Sequence, residues 1–211
     1  MEIETYSQAC QDIFVVKLTN NKKNGFFLEI GGSQPIELNN TYLLEKNYLW
    51  KGVIVEWFDF YIELYDKHRP NSKYEIKDAR QINYKKILED YSFPNNIDYL
   101  QIDLDVDNKS TLDVLEILNN TIFDEYKFAT ITFEHDIYTG DFFNTRELSR
   151  EIFKNRGYIL VFPDVKVFFE NDFRPFEDWY VHPDLVDMDY VNKIKTNESL
   201  TCEEIKNILY S

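Results

Sequence analysis

The sequence predicts a doubly wound α/β fold built on a mostly parallel sheet, and three observations carry the prediction. Short apolar runs rich in β-branched and aromatic residues recur at GFFLEI, VIVE, YEIK, IDYLQI and FATITF. Helical or polar stretches separate them, and every run ends at an acidic residue. Strands of this kind are buried on both faces, and parallel neighbours need crossovers whose fixed handedness lays helices on either side of the sheet.

Along the chain, Cys10, Phe14 and Leu18 recur at helical spacing with Ser7 placed to cap, predicting a first helix that ends in the Asn/Lys loop before Gly25. GFFLEI is a strand closed by Gly31 and Gly32, NNTYLLEKNYLW a helix ended by Gly52, and VIVE a strand closed by Glu56. Asp59 opens a helix over DFYIELYDKH that stops before Pro70. YEIK leads through a polar connection to IDYLQI; STLDVLEIL is a helix, and FATITFE is a strand by its β-branched and aromatic content. Asn144 and Glu147 form a capping-box pattern opening TRELSREIFKNR, with Gly157 as its stop. YILVF and VKVFFE flank Pro163 and Asp164 closely enough to pair antiparallel at a sheet edge, and Thr201 with Glu204 caps a last helix over TCEEIKNILYS. Residues 1–211 read as one domain, with an N-terminal helical segment over 1–24 and a C-terminal helical tail over 188–211.

A chain that is 44% hydrophobic can build a core, while a formal net charge of −15 repels polyanions and removes nucleic acid from the expected partners. No run approaches the ~20 apolar residues of a membrane span, and MEIETYSQ lacks a signal-peptide pattern, so a soluble cytoplasmic protein with no membrane partner is expected. A homo-oligomer is compatible with this composition. Cys10 and Cys202 have neither ligand nor disulfide-framework spacing and read as free thiols.

Open parallel sheets bind ligands beyond the carboxyl ends of their strands. The residues there are Glu29 to Ser33, Glu56, Asp78 with Ala79, Asp103 with Asp105, and Glu134 to Asp136. Glu56, about 25 residues past the glycine turn, is placed to accept hydrogen bonds from the ribose hydroxyls of a nucleoside-bearing cofactor. The turn EIGGSQP departs from GxGxxG, because Gln34 and Pro35 stand where a third glycine would admit a pyrophosphate. A cofactor without phosphates needs no helix N-terminus pressed against it, which points to S-adenosylmethionine in preference to a dinucleotide.

YSQACQD, GFFLEIGG, NNTYLLEKNYLWKGVIVE and FEDWYVHP together resemble the FkbM-type branch of class I S-adenosylmethionine-dependent methyltransferases, over most of the chain up to Asp187. The resemblance implies a seven-stranded, Rossmann-like sheet with a reversed edge strand. It implies that Glu29, Gly31, Gly32 and Ser33 line the methionine and ribose end of the cofactor, that Glu56 holds the ribose, and that Asp78 with Ala79 borders the adenine. Asp103 would face the cofactor's amino group and the reacting centre, and the implied activity is O-methylation of a sugar hydroxyl, in a glycan or nucleotide sugar. The sequence departs from the family at Gly32-Ser33-Gln34-Pro35 and at Trp57, where a proline commonly follows the ribose acid.

A hydroxyl acceptor needs a base or a metal to lose its proton. His135, at a strand end with an ordinary pKa near ~6.5, is the expected base. Asp105, Glu134 and Asp136 are expected to supply oxygen ligands to Mg²⁺ or Mn²⁺ beside Asp103. Alternate acids before a helix also serve as caps, and Asp107 and Asn108 precede STLDVLEIL in that way. PFEDWYVHP offers Trp179 and Tyr180 for stacking on a sugar or for packing on the sheet, and His182 as loop structure. Two other classes stay open: an NAD-dependent oxidoreductase using the same strand-end acid, and a methyltransferase-fold protein that binds without catalysis.

Overall fold

A computed structural model describes residues 3–211; Met1 and Glu2 of the N-terminal segment lie outside the described residues. Seven strands form one sheet: β1 (Phe26–Ile30), β2 (Lys51–Glu56), β3 (Lys73–Ile76), β4 (Asn96–Ile102), β5 (Lys127–Glu134), β6 (Ile159–Phe169) and β7 (Asp172–Val181). Their order is β3-β2-β1-β4-β5-β7-β6, parallel from β3 to β5, with β7 antiparallel to both β5 and β6. This is the predicted doubly wound sheet with a reversed strand near one edge. The order turns back on itself between β1 and β4, and a crevice opens at such a point.

Helices cover both faces. On one side α1 (Gln11–Leu18), α2 (Tyr42–Tyr48), α3 (Ile62–His68), α7 (Met188–Ile194) and α8 (Cys202–Leu209) surround a core around Phe14, Trp50, Tyr65 and Trp179. On the other, α4 (Tyr84–Asp90), α5 (Ser110–Thr121) and α6 (Phe143–Asn155) pack over Leu28, Ile102, Phe133 and Phe153. Period-two alternation decides which residues meet which layer.

Several local expectations change. Gly52 lies inside β2 and does not end the preceding helix, which stops at Tyr48 with Leu49 in the left-handed region; a Cβ on Gly52 would strike the Phe27 ring at 2.1 Å. The polar connection after β3 contains α4, capped by the Asn83 side chain. Asn144 falls within the first turn of α6 and caps nothing, whereas Gly157 at φ 82° does follow that helix's end. YILVF and VKVFFE are one strand, β6, which pairs with β7 and not with itself. Pro163 is tolerated because β6 is an edge strand and its register with β7 shifts on either side of that proline. FEDWYV is therefore strand, not loop. Trp179 is buried against Phe14 and Phe162, and Tyr180 against Phe153. His182 is mostly buried just after β7, its Nδ1 accepting from the Asp184 amide at 3.2 Å. The Thr201 to Glu204 capping box forms, and both cysteines are free thiols.

Candidate functional site

Two strand ends meet at the reversal point, and the glycine turn lets them meet. Gly31 has φ 90°, and a Cβ there would lie 1.7 Å from the Asp103 carbonyl oxygen. Only glycine fits both that conformation and that approach. Ser33 continues the turn at φ 45°, a strained value for a residue with a side chain. It is held there from both ends: its amide donates to Glu56 Oε2 at 2.7 Å, and its carbonyl accepts from the Tyr65 hydroxyl at 2.7 Å.

Glu56 is fixed by backbone donors. Its Oε1 accepts from the amides of Trp57 at 2.8 Å and Phe58 at 2.9 Å, in addition to the Ser33 bond on Oε2. A carboxylate offers about four acceptor positions, so roughly one is left for an incoming hydroxyl. The carboxylate is thus oriented before any ligand arrives.

A cleft of about 600 Å³ opens above these residues. Glu29, Gly31, Gly32, Ser33, Glu56, Asp78, Ala79, Asp103 and Asp105 all line it, so the strand-end residues singled out from sequence on β1 to β4 converge on one cavity. Asp78 is clamped by Arg80 at 2.9 Å and also accepts the Arg80 amide, and the guanidinium holds its carboxyl below the usual range. Trp57, Phe58 and Tyr61 add an aromatic rim; the first two are exposed.

Beneath the cleft, Glu29 is almost wholly buried. It accepts from Thr41 Oγ1 at 2.8 Å and from Asn39 Nδ2 at 3.4 Å, with Arg69 at 3.8 Å. Burial outweighs these partners and pushes its carboxyl up to about 7. Arg69, which the sequence reading passed over, organises this layer from just past the end of α3. It is fully buried and donates to Glu45 at 2.8 Å, Asn39 at 3.0 Å and Thr41 at 2.6 Å, tying the β1–α2 loop to α3. The available signal was an arginine immediately before Pro70 at the predicted helix end.

The tips of β4, β5 and β7 are built differently. Glu29 is in register with Gln101, Gln101 with Thr132, and Glu134 with Glu177, so alternation places one polar row on the sheet face covered by α1. Glu134 has the carboxyls of Asp103 and Asp136 as its charged neighbours. Burial and the neighbouring carboxylates push Glu134 well above the ordinary carboxyl range, and burial raises Asp103 and Asp136 as well. Asp136, at φ 51°, follows a double contact in which the amides of His135 and Asp136 both donate to the Phe176 carbonyl.

His135, one residue beyond Glu134, lies on the opposite face and does not line the cleft. Its imidazole is fully buried, with Nε2 3.4 Å from Asp164 and 3.6 Å from Asp178, and Arg150 completes the cluster at 2.7 Å from Asp178 and 3.0 Å from Asp164. Burial opposes charge on the ring, but the two carboxylates outweigh it and raise the imidazole pKa; Asp178 in turn is held below its usual range by Arg150 and His135. This is an ion-paired tie between β5, β6, β7 and α6, remote from a base's position in the cleft.

The expected metal set does not assemble either. Asp105 turns into its own loop, accepting from the Asp107 amide at 3.1 Å and from Asn108, while Asn108 accepts from the Ser110 amide at 3.0 Å at the start of α5. Among the described residues, the one group of three or more ligating side chains within 4.8 Å of one another is His135, Asp164 and Asp178, already neutralised by Arg146 and Arg150. Asp105, Glu134 and Asp136 form no such group.

No family model and no curated protein matches the chain. Solved structures do match its fold. A TehB-like SAM-dependent methyltransferase from Corynebacterium glutamicum aligns with a TM-score of 0.52 at 11% identity, over 82% of this chain and 86% of that one. A putative rRNA-methylase from Clostridium thermocellum gives 0.51 at 13%, over 86% and 99%. A precorrin-6y C5,15-methyltransferase from Geobacter metallireducens gives 0.51 at 12%, over 81% and 84%. The chain therefore has the class I methyltransferase fold. No helix among the described residues is long and apolar enough to cross a membrane.

Proposed function

We propose that the chain is an S-adenosylmethionine-dependent methyltransferase. The observation that carries this reading is Glu56, a strand-end carboxylate pinned by three backbone amides at the edge of a cleft whose floor is a glycine turn closed against Asp103. Gly31 and Gly32 let the turn close against Asp103, Ile54 and Tyr65, and Glu56 with the Ser33 turn receives a ribose. Asp78 and Ala79 border an adenine, with Trp57, Phe58 and Leu104 as apolar walls. When bound, the donor supplies a methyl group on positively charged sulfur. Asp103 stands where that group would meet an acceptor, and the chain's main contribution is alignment of a nucleophile within about 3 to 3.5 Å of the methyl carbon.

The local backbone disfavours a dinucleotide. No helix starts directly after the turn; α2 begins only at Tyr42, whereas a dinucleotide-binding turn opens straight into a helix. For the sugar hydroxyl suggested by the FkbM resemblance, the proton would pass to Asp103 and its partner Glu134, since His135 is engaged elsewhere. Titrating the purified protein with S-adenosylmethionine and with NAD tests the reading: micromolar binding of the first and none of the second supports it, and the reverse overturns it.

A further inference from the structure

The chain's two cysteines are 192 residues apart in sequence, and the fold brings them together. Cys10 stands just before α1 at φ 63°, and its Sγ donates to the carbonyl oxygen of Cys202, the first residue of α8, at 3.5 Å. The two helices lie side by side along their length. At their other ends Lys17 Nζ sits 3.8 Å from the centroid of the Tyr210 ring, so α1 and α8 run in the same direction with a cysteine at the start of each. The Tyr210 hydroxyl also accepts from the Ile3 amide at 2.9 Å, closing the N-terminal segment onto the C-terminal helix.

The surroundings of the two thiols differ as those of a reactive and a resolving cysteine should. Cys10 is fully buried in the core beneath these helices, whereas Cys202 packs against that core and keeps part of its surface in solvent. Burial pushes the Cys10 thiol up. Its neighbour Cys10 foremost, and then Lys206 one turn along α8, lower the Cys202 thiol against the cost of its own burial.

We propose that Cys10 and Cys202 form an oxidative modification site, joined by hydrogen peroxide into one intrachain disulfide that staples α1 to α8. The Cys202 thiolate attacks one oxygen of the peroxide, the O–O bond breaks, and the departing oxygen takes up the thiol's released proton and leaves as water. Cys202 is then a sulfenic acid. The Cys10 sulfur attacks the Cys202 sulfur, the S–S bond forms as the S–O bond breaks, and a second water carries away the Cys10 proton. The two thiols lose two electrons in all, and the peroxide gains them.

The bridge reaches beyond the chain ends. Gln8, two residues before Cys10, lines the cleft, and the residues before it are tied to α1 through Asp12, which accepts from Thr5 Oγ1 at 2.6 Å, the Tyr6 amide at 2.8 Å and Ser7 Oγ at 2.7 Å. A disulfide that closes most of the chain into one loop removes conformations chiefly from the unfolded state, so the oxidised protein is the more stable one.

The test treats the folded full chain with a small excess of hydrogen peroxide. The intact mass falls by two hydrogens, a peptide map finds Cys10 joined to Cys202, dithiothreitol reverses both, and thermal unfolding moves up by about 5 °C or more. Cys202→Ser, at a partly exposed position, abolishes the mass loss and the upward shift while unfolding near the temperature of the reduced parent. Uptake of oxygen without loss of hydrogen, a bridge only between two chains or only in denaturant, or a bridge that leaves the unfolding temperature unchanged or lower, overturns the inference. The methyltransferase reading depends on none of these outcomes.

Discussion

The strand tips in and beside the cleft use carboxylates in opposite ways. At the tips of β2 and β3, Glu56 and Asp78 are surrounded by donors: three backbone amides for the first, a guanidinium and an amide for the second. At the tips of β4 and β5, Asp103, Glu134 and Asp136 have chiefly one another. The first half is oriented in advance and needs only a ligand of matching shape. The second holds carboxyls pushed up by burial, with Asp136 Oδ1 unpaired. Stability and ligand response should divide along the same line.

The largest effect is expected where the halves touch. Gly31→Ala forces a Cβ into the Asp103 carbonyl and a side chain into a left-handed backbone; it should cost more than about 4 kcal/mol, read as loss of cooperative unfolding or of soluble protein. A variant within 1 kcal/mol of the parent would show that the two strand ends do not meet as described. Next comes Arg69→Met, which leaves Glu45 and Glu29 buried without their cation. Breaking a buried pair from one side costs about 3–5 kcal/mol, and denaturant titration should find a loss of that order.

Glu29 gives a smaller, pH-resolved effect. Its carboxyl rises from 4.5 to about 7 on folding, so the folded chain binds a proton that the unfolded chain has released between those values. The associated stability is fully present below about pH 4.5 and is lost as pH climbs through 7, roughly 3 kcal/mol at full extent. Glu29→Gln keeps an acceptor for Thr41 and cannot ionise. The variant should match the parent near pH 5 and exceed it near pH 8; a constant gap at both pH values would contradict the assignment. The smallest expected change is Ser33→Gly, which relieves a positive φ worth about 1–2 kcal/mol but adds backbone entropy of about 0.5–1 kcal/mol to the unfolded chain. A net gain of about half a kcal/mol in thermal unfolding is predicted, and a loss would mean that the Ser33 side chain itself holds the turn.

What could be read from the chain follows the same division. Strands β1 to β5 announce themselves by apolar runs, and the cleft-lining acids sit at or just past their ends, so Glu29, Glu56 and Asp78 were legible from position alone. The far half depends on facing, which needs the register. Glu134 and His135 are adjacent in sequence, yet one residue of strand turns the first toward α1 and the second into the Arg150 cluster. Gln101 was readable as a polar residue between Leu100 and Ile102 in a buried strand, and its parity with Tyr99 marks the polar row. Pro163 concealed the continuity of β6, because a proline reads as a break unless the strand is known to be an edge. Arg69 was hidden for a different reason: its partners Glu45, Asn39 and Thr41 are 24 to 30 residues away in sequence.

Calorimetric titration of S-adenosylmethionine into the parent, Glu56→Gln and Glu134→Gln proteins tests the central claim most directly. The account predicts micromolar binding to the parent, a loss of at least about tenfold in Glu56→Gln, and affinity within about threefold of the parent in Glu134→Gln. Absence of binding to the parent, or an equal loss in both variants, would contradict it.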